Sequence, residues 1–259
     1  MRIMNKKYFV NGLSATMLAA VLLFSGCKSA YRLVAVEGSK TEISSKWDRN
    51  PNEEAISVLA PYKAQIDSIM TPVIGKSAMD MKADRPESLL SNLVADVLRQ
   101  AASNYIGKPA DMAVTNVGGL RSSLSKGNIT FSDVYQILPF ENSLCIVTLK
   151  GSDLQSLMEN IALARGEGVS NARLEITKDG KLLSAFVDGK SIDPDKTYEV
   201  ATLDYLAEGN DKMVAFLKGQ KKICPEGATM RDIFLEYVKQ QTAAGKEITS
   251  SIEGRIVVK

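Results

Sequence analysis

The sequence predicts an α+β domain, with mixed sheets packed with helices, on three observations. Apolar residues recur at helical spacing in three segments. Six runs of four to six residues are apolar or alternating, and several are bounded by turn residues, as strands are. Helical segments and hairpin-like pairs are interspersed without a repeating βα unit, which argues against a doubly wound sheet. At 259 residues and 45% hydrophobic, the chain can bury a core in one domain of about 200 residues. It carries no internal repeat and no low-complexity tract.

From the N-terminus, Arg2, Lys6 and Lys7 precede an apolar run from about Leu13 to Phe24, followed by Ser25-Gly26-Cys27. This is the pattern of an export signal, too short and wrongly flanked for a membrane span. A small residue before a cysteine at that place resembles the bacterial lipobox, with Phe24 where leucine is more usual. It implies cleavage before Cys27, lipidation of its thiol, and a lipid-anchored location in the bacterial cell envelope, facing the periplasm or the outside. The alternative is an ordinary secretory signal cleaved nearby. Residues 28–52 are charged and serine-rich and read as a tether, with Leu33-Val34-Ala35-Val36 as a candidate strand. A folded domain is expected over residues 53–259.

The first helix is expected near Pro86, with Asp84 as cap, Glu87 three residues on, and Leu89, Leu90, Leu93, Val94, Val97 and Leu98 on one face. A second opens at Ser152, where Gln155 would complete a capping box and Leu154, Leu157, Met158 and Ile161 form the apolar stripe. A third runs from Met230 to Gln240 behind Thr229, with Ile233, Phe234, Tyr237 and Val238 inward. Strands are expected at Met112–Thr115, Leu144–Leu149, Arg173–Thr177, Leu182–Val187, Tyr198–Thr202 and Arg255–Val258. Lys178-Asp179-Gly180 and Asp188-Gly189 supply turns between them. Cys145 lies in an apolar strand-like run, which favours a buried free thiol, although spacing leaves a bridge to Cys224 open.

Charge and histidine content exclude several functions. The 32 basic and 30 acidic residues nearly cancel, so the chain has no field to recruit a nucleic acid polymer. It contains no histidine, which removes every His-based triad and the commonest ligand of catalytic metals.

Three clusters could form a site. Asn116-Val117-Gly118-Gly119-Leu120-Arg121 follows a short strand, where the glycines permit close approach of backbone to a ligand and Arg121 offers a fork of donors for an anion. Taken alone, such a turn is more often structural. Phe140 and Asn142 stand at a strand entrance, where a core phenylalanine and a turn asparagine are the ordinary reading. Tyr205 through Asp211 places an aromatic ring at a strand's end and a carboxylate in the following turn, by default a loop.

Read together over about Ile56 to Val258, these clusters resemble the C-terminal domain of the 5'-nucleotidase family. Glu87-Ser88-Leu89-Leu90-Ser91-Asn92-Leu93 resembles its Glu-Ser/Thr-x-Leu-x-Asn-Leu helix start, and Asn116 to Arg121 its Asn-x-Gly-Gly-x-Arg loop. Gly127-Asn128-Ile129-Thr130, Tyr135 and Pro139-Phe140-Glu141-Asn142 follow the family's order, as do Gly151 with Leu154 and the stretch Tyr198 to Asp211. The resemblance implies that Phe140 and Tyr205 stack on a nucleotide base, that Asn142 and Asp211 contact base or ribose, and that Arg121 contacts phosphate. Asn116, Gly118 and Gly119 would complete the substrate-binding loop.

It also implies no catalytic residue, metal ligand or cofactor in this chain. About 55 residues precede the match and read as signal and tether, so a divalent metal pair is expected only on a partner metallophosphoesterase chain. The expectation is the nucleotide- or nucleoside-binding half of a split 5'-nucleotidase-type hydrolase in nucleotide catabolism. Its rival is a non-catalytic envelope binding or structural lipoprotein with a degenerate pocket. An independent esterase using Ser or Cys is a poorer third, because no base partners a nucleophile. Three departures from the family pattern bear on the choice. Asp84 stands near where the family has phosphate-binding arginines, Asn171 where it tends to have glycine, and Asn210 replaces a glycine.

Overall fold

The computed structural model describes residues 33–259; the expected export signal, Cys27 and the start of the expected tether lie outside the described residues. The chain divides into two units, Met1–Ile56 and Ser57–Lys259. In the described part of the first, residues 33–44 are irregular and lead to the 3₁₀ turn Ser45–Arg49. Leu33–Val36 forms no strand, contrary to expectation: the segment is exposed and has no partner strand among the described residues.

Helix α1, Glu53–Met70, begins where the Asn52 side chain accepts from Ala55 N at 3.0 Å. It buries no residue, and Ile56, Leu59, Tyr62, Ile66 and Ile69 form an exposed stripe at helical spacing. Strand β1 (Val73–Ser77) follows, then helix α2 (Leu89–Ile106), which ends at Gly107 with φ 69°. The expected start of α2 is corrected. Ser88, in extended conformation, is the cap and accepts from Ser91 N at 3.4 Å. Asp84 instead receives the amide of Arg85 (2.8 Å). Glu87 turns to the C-terminal segment, accepting from Glu253 N at 2.9 Å and Arg255 N at 2.8 Å.

The order continues with β2 (Met112–Thr115), β3 (Gly127–Thr130), α3 (Phe131–Ile137), β4 (Leu144–Lys150), α4 (Gly151–Leu163) and β5 (Gly168–Ser170). Then come β6 (Ala172–Ile176), β7 (Leu182–Val187), β8 (Lys190–Ser191), β9 (Thr197–Leu203), α5 (Asp204–Ala207), β10 (Lys221–Ile223), α6 (Met230–Ala243) and β11 (Ile256–Val258). The expected capping box at Ser152 does not form. Gly151 is already helical, and the free amides of the first turn go to the β8–β9 connection, Gly151 N to Lys196 O at 2.8 Å and Ser152 N to Pro194 O at 3.2 Å. Any side chain at Gly151 would collide there, its Cβ falling 1.8 Å from Asp193 O. Helix α6 starts at Met230 as expected, and Thr229 caps it, its hydroxyl receiving Asp232 N at 3.1 Å.

A five-stranded sheet in the order β10-β4-β9-β2-β5 forms the centre. Its strands alternate between two cores, as a period of two residues requires. Ala113, Leu144, Ile146, Ala201 and Leu203 face α2, α6 and the β1–β3 pair. Met112, Val114, Val147, Leu149, Tyr198 and Val200 face α4 and the four-stranded sheet β11-β6-β7-β8. Both faces are therefore covered, and the domain is α+β with mixed sheets, as expected.

Cys145 is not a free thiol: it is bonded to Cys224. Edge strand β10 pairs Ile223 with Ile146, and this register delivers the next residue, Cys224, beside Cys145.

Candidate functional site

The sheet register assembles the site. Strand β2 runs parallel to β9, and β4 runs antiparallel to it, with Leu144 opposite Leu203. The C-terminal ends of β2 and β9 and the entrance of β4 consequently lie at one end of the sheet. Asn116, Tyr205 and Asn142 issue from those three ends. A cavity of about 590 Å³ opens there, lined by Asn116, Gly118, Gly119, Phe140, Glu141, Asn142, Tyr205 and Asp211. Every predicted site residue except Arg121 is in its wall.

The aromatic rings are available to a ligand: Phe140 is 51% exposed and Tyr205 40%. Both stand on the wall of the same cavity, where their faces are open to whatever enters it. Asp211 ties the loops together. One of its oxygens accepts the Tyr205 hydroxyl at 3.1 Å, and the other accepts Asn116 Nδ2 at 2.7 Å. The hydrogen bond to that carboxylate holds the Tyr205 phenol above its ordinary pKa of 10.0. Asn142 Nδ2 donates to Asp204 at 3.0 Å, anchoring the β4 entrance to the start of α5.

The turn after α5 is left-handed at Gly209, Asp211 and Lys212, with φ of 81°, 51° and 65°. Asn210 is not among the left-handed residues. Its amide instead closes the turn by donating to Tyr205 O at 2.9 Å, so the replacement of glycine there adds a bond. A Cβ at Gly119 would fall 2.9 Å from Asn116 Oδ1, so a side chain there would have to push the Asn116 amide aside. Asn171, the other departure, donates to Asp111 O at 2.7 Å and does not line the cavity.

Arg121 is exposed, and its Nη1 donates to Gly118 O at 3.2 Å on its own loop. The sequence reading missed Glu167, the buried support of that loop at 2% exposure. Its carboxylate accepts Val117 N at 2.5 Å and pairs with Arg85, whose Nε donates to Gly166 O at 2.8 Å. Burial pushes the Glu167 carboxyl above its ordinary pKa, opposed by the bonds from Val117 and Arg85. The signal for it was present as Gly166-Glu167-Gly168, a carboxylate between glycines just before a strand. Glu167→Ala leaves the Val117 amide and Arg85 without their acceptor. It is expected to lower the unfolding free energy by about 2–3 kcal/mol, read from urea denaturation.

Among the described residues, no group of three or more Asp, Glu or Cys side chains is arranged to hold a metal ion. The sequence has no histidine either, and the donor set of the described residues does not fit a dinuclear metal centre.

The α+β fold thus carries, at the end of its central sheet, a cleft with aromatic rings and hydrogen-bonding side chains in its wall. The model of the 5'-nucleotidase C-terminal domain matches residues 73–218, and the chain belongs to that family. Protein UshA of Yersinia enterocolitica is 35% identical over 183 residues, covering 68% of this chain and 32% of the relative. A cell wall protein of Listeria monocytogenes is 30% identical over 235 residues, covering 81% and 30% respectively. The crystal structure of a 5'-nucleotidase precursor from Thermus thermophilus superposes with a TM-score of 0.69 at 27% identity, covering 80% of this chain and 43% of that one. The chain spans about a third of the length of these two curated relatives.

Proposed function

We propose that this chain is the nucleotide- or nucleoside-binding half of a 5'-nucleotidase-type hydrolase, working with a separate metallophosphoesterase chain that supplies the divalent metals and the chemistry. The observation that carries the reading is the pair of exposed rings, Phe140 and Tyr205, on the wall of one cavity whose other side chains are hydrogen-bonding groups. An aromatic wall accepts a base of any identity, because every base has a π-face. Asn116, Asn142 and Asp211 supply donors and acceptors for the base edge and the sugar hydroxyls. Family membership supports the same reading, and the unsuitable donor set for a metal pair supports placing the chemistry on another chain. Lipidation at Cys27 would hold the assembly at the cell envelope, in keeping with a relative that is a cell wall protein.

Titration of adenosine into the full chain tests the binding. Phe140→Ala and Tyr205→Ala are each expected to weaken it about tenfold, the loss of one stacking face. If the wild type binds no nucleoside at millimolar concentration, the cleft is the relic of a binding or structural lipoprotein. Capture of the full chain from its native envelope should bring down a metallophosphoesterase through the surface near Asn116 to Arg121. Its absence would remove the two-chain arrangement.

A further inference from the structure

We propose that Arg231 is a positioning residue for the cleft, setting the place of the Phe140 ring without itself lining the cavity. The inference rests on the nucleotide- or nucleoside-binding reading above and adds the residue that fixes one of its two stacking faces. A ring that stacks on a ligand binds best when it already stands in place, because freedom lost on binding is subtracted from affinity. Phe140 is half-exposed, so its neighbours enclose only part of the ring and the rest of its placement falls to the backbone that carries it.

That backbone is held by the first turn of α6. Arg231 Nε donates to Leu138 O at 2.9 Å, and its Nη2 donates to Pro139 O at 2.6 Å. One edge of a planar group thus grips two consecutive carbonyls. The Pro139 carbonyl belongs to the same rigid peptide plane as the Phe140 nitrogen, so fixing one fixes the other. Past the ring, Met230 N donates to Asn142 O at 2.8 Å. Neighbouring residues of one helix therefore clamp the chain on both sides of Phe140. Arg231 is buried, and its Cζ lies 4.2 Å from the centre of the Tyr135 ring, a cation–π contact. It enters no ion pair among the described residues. The adjacent acid, Asp232, is committed to the helix cap through Thr229. A buried cation is costly unless its donors are satisfied, and here two carbonyls at the root of the ring receive them.

Arg231→Lys keeps the charge and loses the planar fork. Calorimetric titration with adenosine compares the full wild-type chain with Arg231→Lys, Phe140→Ala and the double variant, each checked for folding by circular dichroism. Arg231→Lys is expected to weaken binding at least about threefold, because the ring is no longer held in place. In the Phe140→Ala background the same change is expected to cost less than about 1.5-fold, since no ring is left to place. A merely structural role would lower stability in both backgrounds without making the binding loss depend on Phe140. Wild-type affinity in a folded Arg231→Lys variant, or an equal loss in both backgrounds, would overturn the positioning role and leave the binding reading intact. Failure of the wild type to bind adenosine would overturn both. If Arg231→Lys does not fold, NMR of the wild type decides: the Arg231 Nε–H resonance is expected to shift saturably with adenosine, and an unmoved resonance at saturation would overturn the role.

Discussion

Reduction of the Cys145–Cys224 bridge is expected to lower the unfolding free energy by about 4.5 kcal/mol, the loop-closure value for a cross-link spanning 79 residues. The span contains α4, the strands β5 to β9 and the Tyr205–Asp211 turn, but not the Asn116 loop or Phe140. Breaking the bridge therefore releases, in the unfolded chain, the segment that carries one wall of the cleft. In the native state β10 keeps its backbone pairing with β4, so the effect falls mainly on the unfolded ensemble. Urea titrations of the full chain with and without thiol reductant measure it. Coincident curves would show that the bridge contributes nothing. Bridges of this kind persist in oxidising compartments, the environment an export signal implies.

Replacement of Arg255 by alanine is expected to cost about 3 kcal/mol, because it leaves buried acceptors unpaired. The Arg255 side chain is 9% exposed, and its guanidinium grips Asp96 with two bonds of 2.8 Å. It also donates to Val169 O at 2.7 Å and to Glu253 at 3.0 Å. One residue thus fastens the C-terminal segment to α2 and to β5, the strand that pairs with β2 beneath the Asn116 loop. Asp96 is 45% exposed, which holds the expected loss at the lower end of the range for broken buried pairs. Arg255→Lys should recover less than half of it, since an ammonium cannot make the planar two-bond contact. A loss under about 1 kcal/mol in Arg255→Ala would contradict this account.

The elements that the sequence made legible are those with enough residues to show a period. Helix α2 displays Leu90, Leu93, Val94, Val97 and Leu98, and β4 and β9 are apolar on both faces because both faces of the central sheet are covered. Strands β5 and β10, of three residues each, are too short to show alternation. The same shortness lets the sequence favour a free thiol at Cys145 over the bridge that forms, since the position of Cys224 depends on the pairing of β10. Cap chemistry misled at two helices. At Pro86 the sequence offered Asp84, while the backbone used Ser88; at Ser152 it offered Gln155, while the carbonyls of residues 194 and 196 did the work.

The cleft was legible as three separate clusters, because aromatic, amide and glycine residues stand at strand ends. What joins them was not. The bonds from Asp211 to Tyr205 and Asn116 require β2 and β9 to run parallel, a tertiary fact with no local signature. Glu167 was overlooked since a carboxylate between glycines fits no ligand motif, although burial makes it the foundation of the Asn116–Gly119 loop. Arg121, read as a phosphate contact, lies outside the cavity wall and donates to its own loop.

The central claim is that the cleft walled by Phe140 and Tyr205 is the ligand site, and amide NMR of the full chain titrated with adenosine tests it most directly. The fold offers a rival, a groove of about 520 Å³ between α2 and α6 lined by Gln100, Tyr105, Ile233 and Tyr237 among others. The account predicts saturable shifts at Gly118, Gly119, Phe140, Asn142, Tyr205 and Asp211, with the groove residues unmoved. Shifts confined to Gln100, Tyr105, Ile233 and Tyr237, or no saturable shift anywhere, would contradict it.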